Sequence, residues 1–442
     1  MLAPLIRTLF IRLLKLYYPT LEVEGREHVP EGVPVIAVMN HPNALLDPLV
    51  LRVGLDRPVS FLGKSTLFGN PLGRAAMEAF DGIPVYRHRD KGQGGGDPAK
   101  NEETFALCRE RLDRGGWVAL FPEGTSHSDP QMKPLKTGAA RIALSAVVEK
   151  PGAAALRILP AGLYFEEKAT FRSRCLLTLG PAIRVADYLD DYRRDPRATV
   201  DRLTDDIRAA LDRVVLQADN HTLLDGLARV AEFTAAGAPA GLGAQHRRAL
   251  TLRARYDHWA QHDPARLDAV TASAQRYFRI LQGLGVRDPW SLEVLEVTPR
   301  VVLVEAVKLA ALLPFAAVGV LLGWVPYRLA GKVAARFVGE SDDVLGTAKM
   351  IGGALFVVVY WLLESLAAAH FYGPLGALAV LVMGPLGGYA ALRFEERLGV
   401  ALRALSYLQL RKTHVDVVRA VGERRRQLAQ EIEAMLAEAP AP

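Results

Sequence analysis

Between Leu309 and Tyr327 about 19 consecutive residues carry no charge, and between Met350 and Leu392 the single formal charge is Glu364. Soluble helices seldom run so long without a charge, and a helix needs about 20 apolar residues to cross a bilayer. The second run is broken at "HFYGPLG", a turn signal that divides it into a hairpin. The pattern predicts a membrane segment over residues 300–393 with two or three spans, the turn favouring three, and kinks at Pro314 and Pro385. Half of the 442 residues are hydrophobic, high for a soluble enzyme and low for a polytopic transporter, so a water-soluble domain should accompany the spans. Residues 394–442 form a basic helical tail containing "ERRRQ". Because the N-terminal domain is also basic, an odd span count conflicts with the tendency of basic segments to share one face of the membrane.

The soluble part is legible in residues 21–186. Short β-rich runs, "VPVIAVMN", "VSFLGK", "GIPVYR", "WVALFPEG", "LRILPAGLYF" and "CLLTLG", are each bounded by Gly, Pro or Asn. Helical periods such as "NEETFALCRERLDRG" and "LKTGAARIALSAVVEK" separate them. Strands alternating with helices predict an α/β domain around a largely buried sheet. "RHRDKGQGGGDPAKN" reads as a charged, Gly-rich surface loop. Residues 187–299 read as an Arg-rich helical extension and linker, broken at "AAGAPAGLGA". Residues 1–20 read as an amphipathic helix at the membrane interface, with Arg7, Arg12 and Lys15 toward the headgroups; packing on its own domain is the alternative. A net charge of +6 suits anionic lipid or nucleic acid, and the apolar C-terminal third favours lipid. Cys108 and Cys175 show neither metal-ligand nor disulfide spacing, as in a reducing, cytosol-facing compartment.

Four clusters carry chemistry. In "NHPNALLD" a strand delivers His41 to its carboxyl end, Pro42 suits the first turn of a helix, and Asp47 follows. A histidine there can act as a general base, with Asp47 holding its tautomer, or the two can be a helix cap and a surface carboxylate. "FPEGTSHSDP" presents Glu123 on a turn, with Gly124 permitting close backbone approach and Thr125 offering a hydroxyl; an ordinary strand-to-helix turn fits as well. In "GIPVYR", Arg87 closes a strand and can hold a phosphate bidentately. In "ILPAGLYFEEKATFRSRC", Arg172 and Arg174 would share one strand face as a second clamp. Lone arginines are also commonly solvated surface charges. No Ser or Cys stands in a nucleophile-elbow pattern, so the nucleophile would be a substrate hydroxyl.

In order and spacing the clusters resemble the four sequence blocks of the glycerophospholipid acyltransferase family (PlsC type). Asn40-His41 through Asp47 is similar to the first block, Gly82 to Arg87 to the second, Phe121 to Thr125 to the third, and Ile158-Leu159-Pro160 to the fourth. The resemblance covers Leu21 to Ile183 and implies a mixed sheet flanked by helices. It implies acyl transfer from acyl-CoA or acyl-ACP as co-substrate, without a cofactor or metal, to glycerol-3-phosphate or a related acceptor. His41 would be the base and Asp47 its partner. Arg87, Glu123, Gly124 and Thr125 would bind the acceptor, with Lys64, Arg172 and Arg174 as further candidates. The implied partners are membrane lipids and no nucleic acid, and the implied place is a bacterial inner membrane with this domain on the cytoplasmic side. The commonest family pattern has four residues between His and Asp; here there are five. The longer spacing resembles a subgroup that includes yeast-type glycerol-3-phosphate and dihydroxyacetone-phosphate acyltransferases. A lysophospholipid transacylase, or an inactive lipid-binding protein, is the rival reading.

Overall fold

The computed structural model describes residues 2–86, 98–234, 241–284, 299–338 and 342–438. The chain divides into two compact units, Met1–Asp225 with Glu340–Met350, and Gly226–Gly339 with Ile351–Pro442.

In the first unit the order is α1 (Leu2–Tyr17), β1 (Thr20–Glu24), β2 (Val35–Met39), α2 (Leu46–Leu55), β3 (Ser60–Lys64), α3 (Pro71–Ala79) and β4 (Ile83–Val85). There follow α4 (Pro98–Asp113), β5 (Trp117–Leu120), α5 (Gly138–Glu149), β6 (Arg157–Phe165), β7 (Arg174–Leu179), β8 (Ile183–Arg184), α6 (Leu189–Arg194) and α7 (Pro196–Asp212). The strands form one mixed sheet in the order β1-β7-β6-β2-β5-β3-β4, with β8 beside the start of β6. From β6 through β2, β5 and β3 to β4 every pairing is parallel, while β7 and β8 run antiparallel to β6. All six expected strands are present. β2 is buried along its whole length, which is why "VIAVM" reads as an unbroken apolar run. The part-exposed edge strand β1 and the two-residue β8 were not anticipated.

The first unit runs past the expected boundary at residue 186. Asp195 accepts from the Ala198 N–H, Pro196 occupies the first turn, and α7 then buries Leu203, Ile207 and Leu211 on one face, against the core under the sheet. Each such side chain contributes roughly 1.5–3 kcal/mol on burial, so this stretch is part of the domain rather than a linker. The helix α1 shows the packing named above as the alternative. It packs on its own unit through Leu14 and Tyr17, the Phe10–Phe80 ring contact and an Arg7 Nε hydrogen bond to the Ala79 carbonyl (2.7 Å). Its opposite face leaves Leu2, Leu5, Leu9 and Leu16 exposed beside Arg12 and Lys15. Cys108 and Cys175 are free and buried, and burial pushes both thiols up to about 12. Residues 87–97, 235–240 and 285–298, and with them most of the anticipated surface loop, lie outside the described residues.

In the second unit α9 (Leu242–His262) and α10 (Pro264–Gly283) pack with α13 (Val415–Glu438). Trp259 Nε1 donates to the Met435 carbonyl (3.0 Å), Arg424 donates to Ser273, and Arg248 and Arg266 pair with Glu433 and Glu438. Between α10 and α13 lie two helices long and apolar enough to cross a membrane, α11 (Pro299–Val338) over Val302–Arg336 and α12 (Asp342–Thr413) over Asp343–Ser406. The first residues of the expected tail, 394–413, continue α12, and α13 follows. The anticipated turn is real: Gly373, at φ 73° and ψ −172°, leaves helical geometry just before Pro374. Pro385 lies inside the second half of α12. Trp361 lies against Gly384 and Gly388, on opposite sides of that break, so the chain doubles back. At Gly319 a Cβ would lie 1.8 Å from the Gly387 carbonyl oxygen, a backbone approach that only glycine permits.

Glycine placement gives a contrasting pair of tests. A Cβ on Gly162, in β6, would sit 2.1 Å from the Val214 carbonyl oxygen, whereas Gly226, in the helix α8 (His221–Thr234), has nothing within 4 Å. Gly162→Ala should lower stability by about 1–3 kcal/mol, and Gly226→Ala should raise it by about 0.4–1 kcal/mol. Thermal unfolding of the detergent-solubilised variants checks both; a stable Gly162→Ala would disprove the close approach.

Candidate active site

Five adjacent parallel strands end on one edge of the sheet, so the described residues that follow β6, β2, β5 and β3 meet there. This brings together the clusters of His41, Glu123 and the turn after β6, although more than a hundred residues separate the first from the last.

The segment after β2 is pinned first. Asn40 exchanges two hydrogen bonds with the backbone of Leu163 in β6, donating from Nδ2 (3.0 Å) and accepting at Oδ1 (2.8 Å). His41 comes next, its ring stacked on Phe121 with centroids 3.8 Å apart, and its carbonyl accepts from the His127 N–H (3.1 Å). The first and third clusters are thus joined by backbone and ring. The helix α2 starts at Leu46 rather than at Pro42; residues 42–45 form a turn in which Ala44 takes φ 42°. That turn absorbs the five-residue spacing and puts Asp47 in the first turn of α2.

Asp47 is fully buried. Its Oδ2 accepts from the Asn43 N–H (2.8 Å) and lies 2.8 Å from His41 Nδ1, while its Oδ1 has no hydrogen-bond partner. Burial raises the carboxyl above its ordinary range, and the hydrogen bond with and charge of His41 oppose that rise. With Nδ1–H donated to the carboxylate, the Nε2 lone pair of His41 is left as the basic site. The helix-cap and surface-carboxylate alternative is excluded, since Asp47 is buried and paired.

Glu123 is buried, and its Oε2 accepts from the Lys133 N–H (2.7 Å) and pairs with His127 Nε2 (2.5 Å). His127 Nδ1 accepts from the Asp129 N–H (3.1 Å), which places the ring proton on Nε2, facing Glu123. Glu123 Oε1 has no partner. Gly124 takes φ 70°, and a Cβ there would lie 2.4 Å from Lys136 Nζ, so the missing side chain lets an ammonium rest on the turn. Lys136 lies in the loop before α5, although "LKTGAARIALSAVVEK" reads as one helix. Thr125 Oγ1 donates to the Ser126 carbonyl (3.3 Å), and Ser126 Oγ donates to Asp343 Oδ2. Neither hydroxyl caps a helix, because α5 starts only at Gly138.

The remaining expected residues divide. Lys64 ends β3, part-buried on the same edge. Arg87 lies outside the described residues. Arg172 and Arg174 do not share a strand face: Arg172 sits in the turn before β7 at φ 66°, and only Arg174 is in the strand. The Arg174 guanidinium is held bidentately by Glu166, at 2.9 and 2.6 Å. Besides Lys136, the sequence reading missed Asn43, His127, Lys168 and Asp343. Asn43 is fully buried and donates to the Tyr18 hydroxyl (2.8 Å) and the Lys168 carbonyl (3.2 Å), while Lys168 Nζ donates to Ser128 Oγ. His127 carried a readable signal, four residues after Glu123 within the quoted turn. Asp343 carried none, being distant in sequence. No group of three or more His, Cys, Asp or Glu side chains placed to hold a metal occurs among the described residues.

Residues 20–163 match the Acyltransferase family model. An uncharacterized acyltransferase of Schizosaccharomyces pombe is 27% identical over 368 residues, 75% of this chain and 53% of the relative. Glycerol-3-phosphate O-acyltransferase 2 of Saccharomyces cerevisiae is 37% identical over 125 residues, 28% of this chain and 17% of the relative. A chloroplastic 1-acyl-sn-glycerol-3-phosphate acyltransferase of Brassica napus is 30% identical over 128 residues, 29% of this chain and 34% of the relative. The chain thus spans about half the length of the first of these relatives and a smaller share of the other two. Residues 20–163 are therefore an acyltransferase-family domain, whose relatives are glycerol-3-phosphate and 1-acylglycerol-3-phosphate acyltransferases.

Proposed function

We propose that the chain is a membrane-bound acyltransferase that moves a fatty acyl group from acyl-CoA or acyl-ACP to a hydroxyl of glycerol-3-phosphate or a related acceptor. The pairing of part-exposed His41 with fully buried Asp47 at the sheet edge, beside Glu123 and Gly124, carries this reading. His41 Nε2 takes the proton of the acceptor hydroxyl, and the oxygen attacks the thioester carbonyl. The tetrahedral intermediate collapses with cleavage of the C–S bond, and the imidazolium returns its proton to the leaving thiolate. Asp47 stabilises the imidazolium throughout, an interaction strengthened by its burial. A thioester is already an activated donor, so no protein nucleophile is required. Lys136 on the Gly124 turn and Lys64 offer charge to the acceptor phosphate, with Arg87 following β4. Yeast and plant relatives named for glycerol-3-phosphate and for its 1-acyl derivative leave both as acceptors to assay; the five-residue spacing directs attention first to the unacylated one.

The exposed leucine stripe of α1 would rest in the membrane interface, with Arg12 and Lys15 at the headgroups. The helices α10 and α13 flank the apolar helices in sequence yet pack on each other, so the chain returns to the face it left. On this reading the crossings are even in number. The doubled-back halves of α12 supply two. The helix α11 lies in the membrane without a full crossing: Glu305 pairs with Arg397, where α12 re-emerges among charges.

Three measurements test these assignments. His41→Ala should lower turnover roughly 10²–10⁴-fold, and Asp47→Asn by up to about 10⁴-fold through loss of the charge and the tautomer. Retained turnover in labelled acyl-CoA assays, with glycerol-3-phosphate, dihydroxyacetone phosphate and 1-acylglycerol-3-phosphate offered separately, would sink the mechanism. For topology, single cysteines can be labelled in sealed vesicles over a silent background, since both native cysteines are buried. Lys332→Cys should react from the same face as Ala437→Cys, and Tyr372→Cys only from the other. Labelling of Lys332→Cys from the Tyr372 face would restore α11 as a span.

A further inference from the structure

The active-site unit contains a segment that no local pattern assigns to it. Residues 343–350 are the first turns of the apolar helix α12, yet they belong to the unit built by residues 1–225. Three contacts hold them there: Ser126 Oγ donates to Asp343, Lys349 Nζ donates to the Ala169 carbonyl (2.9 Å), and Gly346 lies on Asn43. The last is the tightest. A Cβ built on Gly346 would be 2.5 Å from Asn43 Oδ1, 2.8 Å from the Lys168 carbonyl oxygen and 3.1 Å from Asn43 Nδ2. Real Cβ atoms do not approach so closely, so either the segment or Asn43 would have to shift.

Asn43 has little freedom to do so. Its side chain is fully buried, its Nδ2 is spent on Tyr18 and Lys168, and its Oδ1 has no hydrogen-bond partner and faces the Gly346 backbone. Its own N–H is the backbone donor to Asp47 Oδ2, the oxygen that also pairs with His41 Nδ1. Pressure at position 346 therefore reaches the catalytic base through two contacts: Gly346 on Asn43, and Asn43 on the Asp47–His41 pair.

We propose that the first turns of α12 are a wall of the acyl-transfer site, and that Gly346 is a positioning residue that sets Asn43 and, through it, the Asp47 carboxylate and the His41 ring. The proposal rests on the acyl-transfer reading above and adds a requirement to it: the apolar helix does more than anchor the enzyme, because its first turns complete the site. Asp343 and Lys349 fasten the wall at either end, one to the Glu123 turn and the other to the turn after β6.

The test uses the full chain in lipid vesicles with acyl-CoA and whichever acceptor the wild type turns over. Gly346→Ala should lower kcat at least tenfold with the donor KM within about twofold and with the thermal midpoint preserved, and the acidic limb of its pH–rate profile should move. A merely structural role would leave that limb in place. A double-mutant cycle separates positioning from misfolding: an Asn43→Ala background removes both Asn43 atoms that a new Cβ would strike and leaves only the Lys168 carbonyl oxygen, so the Gly346→Ala penalty on kcat should shrink severalfold. Val358→Ala, on the exposed side of α12, serves as a control with unchanged kcat. Equal penalties with and without the Asn43 side chain, or wild-type kcat in Gly346→Ala, would overturn the wall. A wild type that turns over none of the acceptors would overturn the acyl-transfer reading and the wall together.

Discussion

Parallel pairing of β2 with β5 on one side and β6 on the other is the constraint from which the rest of the site follows. Parallel neighbours point their carboxyl ends the same way, so one edge of the sheet collects the segments of His41 and Glu123. Antiparallel pairing of β2 and β5 would send His41 and Glu123 to opposite edges. The sheet fixes strand direction only; the last ångströms come from short polar ties. Asn40 bridges β2 to β6 through both backbone groups of Leu163, and the His41 carbonyl takes the His127 N–H from the turn after β5. The burial of β2 keeps this arrangement rigid, since a strand without exposed atoms cannot slide in register without exposing its apolar side chains.

The sequence was most readable where the physics is local. Central parallel strands are buried on both faces, so "VPVIAVMN" and "WVALFPEG" stand out as apolar runs with turn residues at their ends. The polar residues just past those ends, His41 and Glu123, were for the same reason placed correctly. Reading failed where an element's role depends on something distant. The Arg-rich exposed face of α7 looks like a linker until Leu203, Ile207 and Leu211 find the core that the sheet provides. Arg172 and Arg174 are two apart, but period-two logic holds only inside a strand, and the chain is in a left-handed turn at Arg172. Asp343 meets Ser126 across 217 positions, beyond the reach of any window of sequence.

The same contrast separates the two carboxylates of the site. Asp47 and Glu123 are both buried, each with one oxygen engaged twice and the other without a partner. Their histidines are oriented in opposite senses. His41 gives Nδ1 to Asp47 and keeps Nε2 available, whereas His127 spends Nε2 on Glu123 and Nδ1 on the Asp129 N–H. Only the first histidine has a nitrogen left for a substrate proton. Two similar-looking His–acid pairs are therefore told apart by where their second nitrogens go: His41 is suited to proton transfer and His127 to holding Glu123 in place.

Burial of Asp47 has a consequence for catalysis beyond geometry. An ionised carboxylate deprived of water is costly, and its stabilisation here comes from the Asn43 N–H and the His41 ring. While His41 is neutral, that compensation is incomplete, which agrees with the upward push on the Asp47 carboxyl. In the proposed mechanism His41 accepts a proton from the acceptor hydroxyl, and the pair then becomes an ion pair at 2.8 Å in a medium that screens it weakly. The attraction is then stronger than in the resting state, so the cost of burying the carboxylate is offset when charge develops. Interactions that strengthen only along the reaction coordinate raise turnover rather than ground-state binding. The buried Asn43–Asp47 contact gives the site this difference, and a surface carboxylate at the same distance, shielded by water, would give little of it.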